Sequence, residues 1–149
     1  LLGATLWAAR LQGAHLGEAR LQGANLRTVR LQGADLREVR LQGANLRGTR
    51  LQGAILWRAR FDPDTNLAAA NLRGAAVMSV DLTRIVKIAD HLEGMFGDGS
   101  VTLPDGCDWP KHWPRHALEA HEFRDEWRDE WRKWLADPDS YTPPEAEGD

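Results

Sequence analysis

A large apolar residue returns at every fifth position through the first half of the chain: Leu1, Leu6, Leu11, Leu16, Leu21, Leu26, Leu31, Leu36, Leu41, Leu46, Leu51, Leu56 and Phe61, then, after one extra residue, Leu67, Leu72, Val77 and Leu82. A small residue stands two places before nearly all of them, as at Ala14, Ala24, Val29, Ala34 and Ala44. A period of five fits neither the strand repeat of two nor the helix repeat of 3.6. It fits a coil that turns a corner with each unit, burying the small residue and the leucine and exposing the other three. Those three are a polar residue, a long side chain and a turn former such as Gly13, Gly23, Gly33, Gly43 or Gly53. Four sides close a coil of about twenty residues, and stacked coils about 4.8 Å apart can pair every backbone polar group with the coil above or below. The pattern therefore predicts an all-β solenoid of about four coils over residues 1–84. Its stability accumulates between neighbouring coils, at roughly 1.5–3 kcal/mol per buried leucine.

The units Ala24-Asn25-Leu26-Arg27-Thr28, Ala34-Asp35-Leu36-Arg37-Glu38, Ala44-Asn45-Leu46-Arg47-Gly48 and Ala70-Asn71-Leu72-Arg73-Gly74 resemble the A-(D/N)-L-x-x signature of the pentapeptide-repeat family. That resemblance implies a right-handed quadrilateral β-helix. Some members of the family are similar in shape to duplex DNA and bind topoisomerases by presenting carboxylates, a role that a basic coil does not suit. Phe61-Asp62-Pro63-Asp64 breaks the phase by one residue, and Pro63, which lacks an amide donor, predicts a bulged corner there.

Beyond Leu82 the fivefold pattern stops. Ile85, Ile88, Leu92 and Phe96 have helical spacing, which predicts a short capping helix over residues 85–97, lying on the last coil and covering its open edge. A Pro- and Trp-rich loop follows over 98–114, then an amphipathic Trp-rich helix over 115–136 with Phe123, Trp127, Trp131, Trp134 and Leu135 on one stripe. The C-terminal appendage is thus expected to be α-helical. Residues 137–149 are acidic and rich in proline, the composition of a disordered tail. The stretches Phe96–Pro104, Trp109–Pro114 and Tyr141–Pro144 are similar to the tails that follow the repeats in some alphaproteobacterial pentapeptide-repeat proteins, in which membrane-spanning segments can precede the repeats. Leu1-Leu2-Gly3 starts inside a repeat unit, so either further upstream sequence or a removed leader is expected.

The net charge of −3 conceals a division: residues 1–60 carry ten Arg against Glu18, Asp35 and Glu38, whereas residues 85–149 carry sixteen acids against seven Lys or Arg. The block LQGAxLxxxR recurs every ten residues, so a twenty-residue coil sorts its arginines into two columns on opposite faces, Arg10, Arg30, Arg50 and Arg20, Arg40, Arg60. Gln12, Gln32 and Gln52 accompany the first and Gln22 and Gln42 the second, where stacked amides can form ladders. Stacked guanidiniums repel by about 1 kcal/mol per hydrated pair. Three settings relieve that repulsion: splayed solvated side chains, an acidic protein surface (the chain's own tail or a second copy among them), or phosphate. The candidate interaction surface comprises these six arginines with Trp127, Trp131 and Trp134. Trp7 and Trp57 point outward on different sides and are expected to pack under a terminus.

Nothing in the chain has the pattern of catalytic or cofactor chemistry. Cys107, His112, His116 and His121 fall close together, but Pro114 interrupts them and their spacing matches no zinc signature. No Gly-rich phosphate loop or nucleophile elbow is present, and no cofactor is expected. The composition and pattern point to a non-catalytic structural or protein-interaction module. The alternatives are a nucleic-acid or phosphate-binding module, and the soluble part of a membrane-associated protein whose N-terminal segment lies upstream. A single cysteine is compatible with a reducing cytosol, so the expected location is the cytoplasm or the cytosolic face of the inner membrane.

Overall fold

The computed structural model describes residues 2–121 and 124–146. Positions twenty apart lie directly over one another. Parallel bridges join Thr5 to Asn25 and Asn45, Arg10 to Arg30 and Arg50, His15 to Asp35 and Ile55, and Arg20 to Arg40 and Arg60. These four ladders are the four sides of the coil, numbered here faces 1 to 4 in chain order. The inserted residue lengthens one step to twenty-one, from Asn45 to Asn66, and the ladders then continue to Asn71 and Ala76. From Leu21 to Leu56 every central leucine is buried, and the small residues between them, Ala24 to Ala54, are equally enclosed.

The hydrogen bonds explain the composition of the repeat. Around Leu26, four amides of the unit are satisfied by backbone: Asn25 N–H donates to Ala4 O, Leu26 to Asn45 O, Thr28 to Arg47 O and Val29 to Leu26 O. The remaining amide, on Arg27, donates to Asn25 Oδ1. The same side-chain bond recurs from Arg37 to Asp35, Arg47 to Asn45, Ala68 to Asn66 and Arg73 to Asn71. Asn or Asp before the leucine thus accepts from the one amide that the ladder leaves over. Where the small inward residue is Thr49, its buried hydroxyl donates to the carbonyl of Leu26 in the coil before.

The corner residue adopts positive φ, and several corners are not glycine. Thr28, at φ 57°, is β-branched in a region that costs an L-residue roughly 1–2 kcal/mol. Thr28→Gly is expected to stabilise the chain by about 0.5–1 kcal/mol, read as a raised denaturation midpoint with an unchanged slope.

The insertion is repaired by one carboxylate. Asp62 Oδ1 accepts from the amides of Gly43 and Asp64 and from the Thr65 hydroxyl, at 2.8, 3.1 and 3.0 Å, so it stands in for the carbonyl that the displaced ladder no longer offers Gly43. Burial alone would raise its pKa, but the bonds from Gly43, Thr65 and Asp64 outweigh burial and hold it below the ordinary 3.8. A lowered folded-state pKa contributes stability that is complete above the unfolded value and is lost as pH falls through the folded value. Asp62→Asn is therefore expected to cost about 1 kcal/mol at pH 7, with the gap between the two melting curves closing as the pH drops below 3.8.

Past residue 84 the structure departs from the sequence expectation in four places. The solenoid does not end: β1 (Ala76–Val77) pairs in parallel with β2 (Phe96–Gly97), and Asp81 bridges Thr102, which begins a further rung. The predicted capping helix over 85–97 is a 3₁₀ helix at Ile88–Gly94, whose Ile88 and Leu92 are buried in the solenoid core. The helix expected over 115–136 begins only at Glu126, forming α1 (Glu126–Ala136); before it, β3 (Ala120–His121) pairs antiparallel with β4 (Arg124–Asp125). Phe123, assigned to the stripe, lies outside the described residues. Part of the acidic tail is placed against the chain, with the Tyr141 ring 6.0 Å from Phe96 and its hydroxyl donating to Glu130; residues 147–149 lie outside the described residues.

The end of the solenoid core is filled from outside the repeat. Gly97 pairs with Val77 and so occupies a leucine position without a side chain. Trp113, 1 % exposed, fills that space: a Cβ on Gly97 would stand 2.6 Å from its ring, and its Nε1 donates to Met95 O at 2.9 Å. Asp98, also 1 % exposed, fastens the following loop, accepting from the amide and hydroxyl of Ser100 and, through Oδ2, from the Leu118 amide at 2.7 Å. The Trp127, Trp131 and Trp134 face of α1 then lies along face 3.

Candidate interaction surface

Stacking places outward side chains in straight rows, so the character of each face can be read directly. Face 3 divides along its length. Its upper rungs carry His15 and the Asp35–Arg37 pair, joined by two hydrogen bonds of 2.9 and 2.6 Å. The hydrogen bond from Arg37 is the main cause that holds the Asp35 carboxyl below its ordinary range. The lower rungs replace polar residues with Ile55, Trp57, Ala76, Met78 and Phe96, and these pack with Leu118, Trp127, Trp131, Trp134 and Tyr141. Trp131 Nε1 donates to Gly74 O at 2.9 Å, and the Phe96 and Trp134 rings are 5.8 Å apart.

Two assignments change accordingly. Trp127, Trp131 and Trp134 are buried against their own solenoid and leave the candidate surface. Trp57 is half-buried beneath the appendage with Arg58 over its ring, whereas Trp7, expected under a terminus, is 62 % exposed. The glutamine ladders are not formed either. Oε1 of Gln22, Gln32, Gln42 and Gln52 is buried with no donor among the described residues.

The two arginine columns are not equivalent. Arg20, Arg40 and Arg60 on face 4 share an open groove with Glu18, Glu38 and Asp81, so carboxylates interleave with the guanidiniums. Arg10, Arg30 and Arg50 on face 2 adjoin face 1, whose next row is Trp7, Arg27 and Arg47, in register through the amide bonds from Ala8 to Arg27 O and Thr28 to Arg47 O. Of the three acids of residues 1–60, Asp35 lies on face 3 and Glu18 and Glu38 at the corner between faces 3 and 4, so the first three rungs of faces 1 and 2 present five arginines and no carboxylate. None of the five guanidiniums has an ion-pair or hydrogen-bond partner among the described residues. Acids return only beyond the third rung, where Arg73 borders a groove with Asp90 and Glu93.

Arg27 and Arg47 fall outside the tenfold columns and therefore outside the sequence-derived site. The signal for them is the residue after the leucine in Asn25-Leu26-Arg27 and Asn45-Leu46-Arg47. Among the described residues no group of three His, Cys, Asp or Glu could hold a metal ion. His112 is committed elsewhere, with Nε2 2.6 Å from Met95 O and its ring stacked 4.9 Å from Trp134. The side chain of His121 lies outside the described residues. No helix among the described residues is long and apolar enough to cross a membrane.

The family model described as pentapeptide repeats (8 copies) matches residues 1–43, 30–62 and 44–84. The chain belongs to the pentapeptide-repeat family. Pentapeptide-repeat proteins fold into right-handed quadrilateral β-helices, in keeping with the four ladders. Among solved structures the chain is similar to alr5209, a pentapeptide repeat protein from Nostoc PCC 7120, at 26 % identity over 68 % of this chain and 82 % of that one, with a TM-score of 0.39. HetL from the same cyanobacterium, a pentapeptide repeat protein involved in heterocyst differentiation regulation, matches at 27 % identity over 80 % of this chain, with a TM-score of 0.36. The chain spans 58 % of the HetL structure. The plasmid-mediated fluoroquinolone resistance protein QnrB1 matches at 16 % identity over 91 % of this chain and 72 % of that one, with a TM-score of 0.35. No curated protein matches the chain.

Proposed function

We propose that this pentapeptide-repeat chain is a non-catalytic interaction module that binds a protein partner through the outward rows of its coil. One observation carries the reading: a rigid ladder of side chains in register presents five unpaired arginines on two adjoining faces with no carboxylate among them. Such a surface is costly to keep uncompensated and has no cleft of the kind that catalysis needs. The interleaved acids on face 4 and the appendage on face 3 leave faces 1 and 2 as the free binding surface. The setting that suits it is the cytoplasm or the cytosolic side of a membrane.

The test is affinity capture from the cytosol of the source organism with the intact chain as bait, compared with a bait carrying Arg10→Glu, Arg30→Glu and Arg50→Glu. A protein held at physiological salt by the first bait and released from the second is the expected result. If neither bait retains any protein, the interaction reading fails.

A further inference from the structure

We propose that the occupant of faces 1 and 2 is an acidic α-helix of the partner, laid along the solenoid axis with one row of carboxylates over Arg10, Arg30 and Arg50. This rests on the interaction reading above and names the partner's chemistry. The argument is one of pitch. Successive rungs are about 4.8 Å apart, so the backbones of the three bridged arginines stand at about 0, 4.8 and 9.6 Å along the axis. A helix rises about 1.5 Å per residue, which places residues i, i+3 and i+7 at about 0, 4.5 and 10.5 Å on one face. Each carboxylate on such a row meets its arginine within about 1 Å of register, close enough for the two-pronged pairing that guanidinium and carboxylate favour.

The competing polyanions fit less well. An extended acidic strand repeats a face every two residues, at about 6.6 Å, and is out of step by the second rung. A strand of duplex DNA advances about 3.4 Å per phosphate and winds its phosphates away round the duplex axis, so it cannot follow a straight column. The row beside the first column adds a second feature. Trp7, exposed, heads the line that continues as Arg27 and Arg47. The surface therefore offers an aromatic anchor at one end and positive charge along the rest, matching a helix with an apolar residue near one terminus and acids along one side.

The probe is an alanine-rich helical peptide of about eighteen residues, long enough to hold helix, with glutamates at i, i+3, i+7 and i+10. Its controls are an isomer of the same composition with the glutamates dispersed round the helix, and a short DNA duplex. Binding is read by fluorescence anisotropy on the intact chain at low salt. The patterned peptide is expected to bind about tenfold more tightly than its isomer and more tightly than the duplex. Arg30→Glu with Arg50→Glu is expected to abolish that binding, and Arg30→Gln with Arg50→Gln to weaken it about tenfold with an unaltered thermal transition. Arg20→Glu with Arg40→Glu, on face 4, should leave it unchanged. Equal affinity for the two isomers, preference for the duplex, or survival of binding in the Arg30 and Arg50 variants would overturn the proposal. If cytosolic proteins are captured by the bait while the peptide fails, the helix inference falls and the interaction reading stands.

Discussion

Leu36→Asp is expected to abolish folding of the coil. Leu36 is 1 % exposed at the centre of the solenoid, where burial of its side chain contributes roughly 1.5–3 kcal/mol. The aspartate loses that contribution and brings a carboxylate into a dry axis lined by leucine and alanine, with no cation within the core to pair it. Burying an unpaired charge costs several kcal/mol more. A domain of this size has a margin of about 5–15 kcal/mol, so the two effects together exhaust it. The measurement is thermal unfolding followed by circular dichroism. A cooperative transition at the wild-type temperature would refute the inward assignment of the central leucines.

Trp131→Ala is expected to cost about 3–5 kcal/mol. The indole is buried between α1 and face 3, it stacks on Trp127 with ring centres 6.1 Å apart, and its Nε1 holds Gly74 O. Truncation leaves both a cavity and an unanswered carbonyl. Trp131→Phe retains most of the volume and loses only the hydrogen bond, so it is expected to cost about 1–2 kcal/mol. Chemical denaturation of both variants separates the two contributions. The alanine variant should also bind a dye that reports apolar surface, because Ile55, Met78 and Phe96 lose their cover. If Trp131→Ala unfolds at the wild-type midpoint, α1 does not seal face 3.

The solenoid was legible because every coil poses the same local problem. A leucine and a small residue must fill the same space each time, and Asn or Asp must take up the same leftover amide, so the solution recurs as a motif. The further rung was illegible for the opposite reason. Gly97 holds a leucine position but its volume is supplied by Trp113, sixteen residues later, and no local period encodes a side chain delivered from elsewhere. The late start of α1 has a similar cause. The polar and apolar spacing of residues 115–125 suits a helix, but the Arg115 carbonyl lies where a Cβ on Gly99 would stand, and Asp98 draws in the Leu118 amide. Those approaches fasten residues 115–118 to the loop that holds Asp98 and Gly99. The cover on face 3 did leave a trace in the sequence, since Ile55 is apolar where positions 5, 15, 25, 35 and 45 hold Thr, His, Asn, Asp and Asn.

The inequality of the two arginine columns was also within reach. Glu18 and Glu38 stand two residues before Arg20 and Arg40, whereas Thr28 and Gly48 hold the matching places before Arg30 and Arg50. Tenfold spacing made the columns look alike, and only sorting the neighbours by face separates them.

The ten-residue LQGAxLxxxR block is half of a twenty-residue coil. Near-identical blocks of this kind are prone to unequal crossing-over in the gene. Loss or gain of one block before Ile55 would swing everything downstream through a half revolution, carrying α1, together with the Ile55, Met78 and Phe96 surface beneath it, to the side that bears Trp7. Gain or loss of two blocks would only shorten or lengthen the rod. Steps of twenty residues therefore keep α1 on the side opposite Trp7, whereas steps of ten bring the two to the same side of the rod.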